Sequence, residues 1–287
     1  MSAGKPGEPD RYAVIGHPVS HSLSPAIHAM FAEQTGQHLA YAKLPAPRDG
    51  FARTASDFFA GGGSGLNVTV PFKQEAAGWV DLLEGAAREA GAVNTISLES
   101  GQTKGFNTDG LGLVRDLTVN HGLSISGARV LVVGAGGATQ GVVRPLIALG
   151  PQALTVANRT VSKAAELVGS LGSAAGRARV AACAPEAATG PFDLVINATS
   201  AGLEGHGEVV PADAAAGAVC YDMVYSTGAG AATAFCEWAL GVGAVRAIDG
   251  LGMLVEQAAE AFLIWRGVRP DTAPVIDALR RVAPPAY

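Results

Sequence analysis

A two-domain α/β fold is what this sequence predicts, on three observations. Short apolar runs closed by Gly or Pro alternate with helix-like stretches through the first third of the chain, the pattern of a mostly parallel sheet with helices on its faces. A second such series starts near residue 110, led by "ISGARVLVVGAGGATQGVVRPLIALG" (125–150), which reads as strand, glycine turn and helix. The length of 287 residues with 48% apolar content suits two ordinary domains, each with its own core.

The elements follow in order. "RYAVIG" (11–16) is a strand closed by Gly, and "SPAIHAMFAEQTG" (24–36) is a helix with Ser at its cap, Pro at its first position and Gly at its stop. "LAYAKL" is the next strand, followed by a helix-like stretch ending in a flexible "GGGSG". "LNVTV" (66–70) is a β-branched strand stopped by Pro71. Beyond the glycine turn, "ALTVANRT" (153–160), "FDLVINATS" (192–200) and "AVCYDMVYS" (218–226) read as parallel strands with polar residues at their carboxyl ends. The Ala/Gly-rich stretch 173–190 reads as helix and loop. "DGLGMLVEQAAEAFLIWRG" from Asp249 is a long apolar-striped helix, and "APVIDALRRV" a shorter amphipathic one.

Composition narrows the partners. Charged residues are 16% of the chain, below the roughly 25% of an ordinary soluble domain. The net charge is −5 with no basic run, which argues against nucleic acid and against an anionic membrane surface. The opening "MSAGKPGEPD" is polar, without the apolar core of a signal peptide, and no run of ~18 apolar residues appears. Cys183, Cys220 and Cys236 are odd in number and lack paired spacing, so neither a disulfide framework nor a zinc site is expected. A cytoplasmic protein, monomer or homodimer, acting on a small molecule without a metal, is the expectation.

The glycine turn carries the first chemical signal. Gly134, Ala135, Gly136, Gly137 and Ala138 follow four apolar residues and open a helix, with Thr139 where a third glycine often stands. The first glycine permits a tight turn and the second lets backbone approach a pyrophosphate, which then faces the positive end of the helix. The next strand ends not in the carboxylate that holds a free ribose but in Asn158, Arg159, Thr160 and, further on, Lys163. A carboxylate there would repel a 2′-phosphate, whereas Arg159 can pair with one bidentately. NADP(H) is therefore expected over NAD(H); a plain surface helix start is the alternative.

Polar clusters elsewhere are individually ambiguous. "NVTVPFK" sets Asn67, Thr69 and Lys73 around a strand end, "GAVNT" offers Asn94, and "GFNTDG" offers Asn107, Thr108 and Asp109. Asn and Asp before Gly are common turn formers, and a lysine past a strand is commonly solvated. Together with "IGHPVSHSLSPAIH", "GAGGA", "NRTVSKA", "NATSAG", "DMVY" and "DGLGMLVEQAA", in this order, they make the chain resemble shikimate dehydrogenases over nearly its whole length.

That resemblance implies reversible, NADPH-dependent reduction of 3-dehydroshikimate to shikimate in the chorismate route to aromatic amino acids. It implies that Ser22 and Ser24 bind the substrate carboxylate, with Tyr225 near that end, and that Thr69, Asn94, Asp109 and Gln257 surround the ring hydroxyls. Lys73 and Asp109 are the implied catalytic pair. Asn197, Thr199 and Ser200 would close the nicotinamide side, with Met223 and Gly250 beside the ring. Met223 can equally be core, Ser24 can be a helix cap, and His17 and His21 are expected to bond within their turn. Residues 1–109 and 249–287 would form a discontinuous substrate domain and 110–248 a Rossmann-like NADP-binding domain. The C-terminal helices would return to the substrate domain, with the cleft between the lobes.

The chain departs from the family in two places. "STGAGAATAF" after "DMVY" is richer in Gly and Ala than the usual approach to Thr233 and Phe235, leaving the loop 226–232 open. Gly85, with Glu84 adjacent, stands where many relatives have an acid. Three alternatives stay open: a quinate/shikimate dehydrogenase of wider range, an enzyme of an aminated analogue, and a non-catalytic NADP-binding sensor. Arg159 and the paired serines count against the first, and the intact Lys73 and Asp109 against the last.

Overall fold

The computed structural model describes residues 7–199, 206–226 and 232–281. They fall into two compact units: residues up to Gly112 with Val255–Val275, and Leu113–Leu254 with the chain from Ile276. The chain changes unit within three helices, not in loops.

The first unit is built on a six-stranded sheet of order β2-β1-β3-β5-β6-β4. Its strands are β1 (Asp10–Gly16), β2 (Leu39–Pro45), β3 (Gly63–Val68), β4 (Leu82–Leu83), β5 (Thr95–Glu99) and β6 (Gln102–Phe106), and its helices α1 (Ser24–Thr35), α2 (Phe51–Ala60), α3 (Lys73–Trp79), α4 (Gly85–Ala90) and the start of α5 (Asp109–Arg115). β1 pairs in parallel with β2 and β3, as the alternating strand–helix pattern predicts. β5 is antiparallel to both β3 and β6, a hairpin that strand–helix alternation does not announce. Its signal is Ser100-Gly101: both residues have positive φ, 53° and 84°, the backbone of a tight hairpin turn.

"GGGSG" is not a flexible linker, because β3 begins inside it at Gly63. A Cβ on Gly63 would meet the Phe58 ring at 2.1 Å, and one on Gly65 would meet Trp265 Nε1 at 2.5 Å. The glycines make room for these two rings against the strand. The core of this unit gathers Ile15, Phe51, Leu66, Phe72 and Ile96.

The second unit is a six-stranded, all-parallel sheet of order β12-β11-β10-β7-β8-β9. It comprises β7 (Arg129–Val133), α6 (Gly137–Ala148), β8 (Ala153–Ala157), α7 (Val161–Leu171), β9 (Arg179–Cys183), β10 (Leu194–Asn197), α8 (Ala212–Ala215), β11 (Val219–Asp222), α9 (Ala234–Gly241) and β12 (Arg246–Ile248), while α10 (Leu251–Arg266) and α11 (Ala273–Arg281) end the described chain. Read outward from β7, this is the doubly wound order with its switch point between β7 and β10. Both faces are buried: Val130 and Val132 enter one cluster, Leu131 and Val133 the other, the period-two alternation of a strand covered on each side. β9 lies in the stretch 173–190 read as helix and loop. Its "RVAAC" is too poor in large β-branched residues to announce a strand, and its place at the sheet edge asks for little burial.

Candidate active site

Lys73 opens α3 just beyond the end of β3, and Asp109 opens α5 just beyond β6. Their side chains meet, Lys73 Nζ lying 2.6 Å from Asp109 Oδ2, with the ammonium stem 21% and the carboxylate 7% exposed. The other carboxylate oxygen, Oδ1, accepts from Asn94 Nδ2 at 2.8 Å. Asn94 is held in that sense from behind. Its Oδ1 accepts from the Thr108 backbone N–H at 2.9 Å and from Thr95 Oγ1 at 3.0 Å. Thr95 Oγ1 in turn accepts from Asn67 Nδ2 at 3.1 Å, so its one proton goes to Asn94. Gln257 joins from α10, its Oε1 3.3 Å from Asn94 Nδ2 and its carbonyl accepting from Thr108 Oγ1 at 3.0 Å. Asn107 completes the turn by accepting from the Asp109 backbone N–H.

The serine turn lies in the same unit. Ser22 Oγ is 3.1 Å from Ser24 Oγ and accepts from the Ser24 backbone N–H at 3.2 Å. Ser24 is not the helix cap: α1 starts at Ser24, Leu23 takes the cap position, and no side chain caps the helix. Elsewhere in this unit, the Tyr41 phenol donates to Asn67 Oδ1 at 2.7 Å. Burial pushes the Tyr41 phenol well up, so it stays a donor. Thr69 follows β3, its methyl so close to Gly16 that a Cβ on Gly16 would meet it at 2.4 Å. His17 bonds not within its turn but to the Ala46 carbonyl past β2, through Nδ1 at 2.9 Å.

Behind Tyr41 sits His28, fully buried, its ring stacked on the phenol at 4.3 Å and 6°. Neither ring nitrogen has a well-formed hydrogen bond. Burial drives its pKa down to about 3, against a smaller upward pull from Asn67, and the ring is neutral. Tyr41, Thr95 and His28 are members of this network that the sequence reading did not single out. Only "NT" in "GAVNT" and "IH" in the serine segment could have pointed to them.

In the second unit, Gly134 has φ +110°, and a Cβ there would press on the Ala198 carbonyl at 3.1 Å. Ala135 is half-buried against the core. Gly136 and Gly137 are different: a Cβ on either would meet nothing within 4 Å. The protein itself therefore does not require glycine at these two positions, at the amino end of a twelve-residue helix. Bare backbone at a helix start on the switch-point edge fits a pyrophosphate. Ala138 follows in the first turn of α6, and Thr139 packs fully buried. Asn158 Nδ2 donates to the Thr160 carbonyl at 2.8 Å, shaping the turn after β8. Arg159, Thr160 and Lys163 lie exposed around it, an arrangement that fits a phosphate on the adenosine ribose.

Thr199 is fastened at the end of β10 by Asn197 Oδ1, which accepts from both its backbone N–H and its hydroxyl. Met223 is half-buried and packs on the core. Gly250 is confined, since a Cβ would meet the Met223 carbonyl at 2.5 Å. Tyr225 belongs to this second unit, whereas Ser22, Ser24, Thr69, Lys73, Asn94, Asp109 and Gln257 all belong to the first. Ser200 and most of the loop 226–232 lie outside the described residues. Among the described residues, no group of three His, Cys, Asp or Glu could hold a metal, and no helix is long and apolar enough to cross a membrane.

Three family models match along the chain: a shikimate dehydrogenase substrate binding domain over 14–96, a shikimate/quinate 5-dehydrogenase over 117–204, and a shikimate 5′-dehydrogenase C-terminal domain over 250–280. The NADP(+) shikimate dehydrogenase of Alkalilimnicola ehrlichii is 56% identical over 272 residues, covering 94% of this chain and 98% of that protein. The structure of an Ael1 enzyme from Pseudomonas putida superposes with a TM-score of 0.86 at 43% identity, covering 94% and 98% of the two chains. That of a shikimate 5-dehydrogenase from Thermus thermophilus, in complex with NADP(H) and shikimate, gives 0.78 at 32% identity, covering 95% and 99%.

Proposed function

The chain belongs to the shikimate dehydrogenase family, and from that premise we propose that it interconverts 3-dehydroshikimate and shikimate with NADP(H), in the cytoplasm, as a step toward chorismate. The observation that carries the proposal is the Lys73–Asp109 pair at 2.6 Å with Asn94 fixed on its far side.

Bound NADPH supplies a hydride to the ketone carbon of the substrate. The negative charge that then develops on the ketone oxygen needs a proton and a nearby positive charge, and the Lys73 ammonium offers both. An ammonium carries three protons, and Asp109 takes one, orienting the group while leaving others for the substrate. In the oxidation direction the same lysine, as neutral amine, takes the hydroxyl proton while Asp109 keeps its place. Asn94, Thr69 and Gln257 supply donors and acceptors for the ring hydroxyls. The Ser22 and Ser24 hydroxyls, which bond to each other at 3.1 Å, can turn their protons to a carboxylate in its place. Substrate thus belongs to the first unit and cofactor to the second, where Gly134, Gly136 and Gly137 serve the pyrophosphate, Arg159, Thr160 and Lys163 the 2′-phosphate, and Thr199, Met223 and Gly250 the nicotinamide side.

The test is to follow the near-ultraviolet absorbance of reduced nicotinamide with shikimate or quinate, each with NADP+ or NAD+. Turnover mainly with shikimate and NADP+ is expected. Comparable rates with quinate or NAD+ would replace this reading with the broader dehydrogenase.

A further inference from the structure

The second unit contains a buried acid that the reaction does not use. Asp222 ends β11, is completely buried, and ion-pairs with no described residue. Three neutral donors satisfy it instead. Its Oδ1 accepts from Asn197 Nδ2 at 3.1 Å and from the Val224 backbone N–H at 3.1 Å, and its Oδ2 accepts from Thr233 Oγ1 at 2.6 Å. Burial pushes this carboxyl's pKa up, and Asp249 adds to the push, so its negative charge comes at a cost to the fold.

Each donor belongs to a different segment. Asn197 ends β10 and fastens Thr199. Val224 follows Met223, and its carbonyl accepts from the Gly250 N–H at 3.0 Å. Thr233 caps α9, its hydroxyl accepting from the Cys236 N–H at 3.2 Å. The ends of β7, β10 and β11 stand in register, Val133 beside Asn197 and Asn197 beside Asp222. The carboxyl edge of such a sheet at its switch point is where a dinucleotide lies.

We propose that Asp222 is a positioning residue for the nicotinamide side of the cofactor site, holding Thr199, the Met223–Val224 turn with Gly250, and the start of α9 in one arrangement. The inference rests on the NADP(H) reading above. An acceptor-only group is needed at this point. An asparagine could still accept from Asn197 and Val224, but its amide would face Thr233 Oγ1. Thr233 Oγ1 would then have to accept from that amide, its own proton would lose the acceptor it now has, and the hold on one of the three segments would weaken. A carboxylate kept buried at an energetic cost, at the one point where three segments of the cofactor edge converge, is better explained by their alignment than by stability.

The experiment measures NADP+ affinity without shikimate, by calorimetric titration, for the parent chain and the variants Asp222→Asn, Thr233→Val and Thr233→Ser, alongside Tm and the KM for each substrate. Asp222→Asn is expected to weaken NADP+ about tenfold, raising the KM for NADP+ but not that for shikimate. Thr233→Val should act in the same direction, and Thr233→Ser, which keeps the hydroxyl, should bind like the parent. A lowered Tm with NADP+ affinity within about twofold of the parent would overturn the proposal and make Asp222 purely structural. If Asp222→Asn does not fold, Thr233→Val decides by the same criterion. A parent chain that binds no NADP+ would overturn the cofactor reading itself, and this inference with it.

Discussion

Asn94 illustrates how a neutral amide is made directional. Two donors, the Thr108 N–H and the Thr95 hydroxyl, converge on its oxygen, so its nitrogen must face the Asp109 carboxylate. The carboxylate is then gripped by Asn94 on one oxygen and Lys73 on the other, and its oxygens cannot exchange places without breaking both bonds. His28 acts at the same scale through stacking. Its folded pKa of about 3 lies below the ordinary 6.5, so between these values the unfolded chain binds the extra proton. Stability is therefore present above 6.5 and is lost as pH falls toward 3, at up to about 1.4 kcal/mol per pH unit from this group. His28→Phe keeps a ring on Tyr41 and removes the titration. Denaturant unfolding followed across this range should give a shallower acid decline for the variant; parallel declines would show that His28 is not the group responsible.

At the scale of elements, we assign the choice of nicotinamide cofactor to the turn after β8. Strand β8 ends at Ala157, and Arg159 and Lys163 follow on the exposed start of α7, with Asn158 bonding forward to Thr160. Arg159→Ala should raise the KM for NADP+ about tenfold or more, as loss of a charged hydrogen-bonded pair implies, and leave that for NAD+ nearly unchanged. An unchanged preference would remove Arg159 from the phosphate site. This turn was legible from the sequence because apolar strand, small-residue end and helix start are all local patterns. The hairpin β5–β6 and the edge strand β9 were not. β5 is defined by antiparallel pairing with a strand about thirty residues earlier in the chain, and β9 lacks the β-branched side chains that mark a buried strand. Gly63 and Gly65 misled for a related reason. Glycine reads as flexibility in one dimension, whereas here it makes room for Phe58 and Trp265, the latter two hundred residues away in sequence.

For the molecule as a whole, chemistry and cofactor recognition are assigned to different bodies. The residues around Lys73 belong to the first unit, including Gln257 contributed by the returning α10, and the glycine turn and Arg159 belong to the second. Lys73, Asn94 and Asp109 each stand near a strand end or a helix start, but they were legible as a set only through the family resemblance, and Gln257 lies inside α10. What joins them was not legible, since Tyr41, Asn67, Thr95 and Asn94 meet only through the sheet order β2-β1-β3-β5. The division predicts that acid–base chemistry can be removed without touching cofactor binding. The measurement that tests this most directly is Lys73→Ala, read for both turnover and NADP+ affinity. The expected result is a kcat reduced about a thousandfold, the scale of a lost general acid, with NADP+ binding at the parent's affinity. Equal loss of turnover and NADP+ binding would contradict the account and leave Lys73 a structural residue.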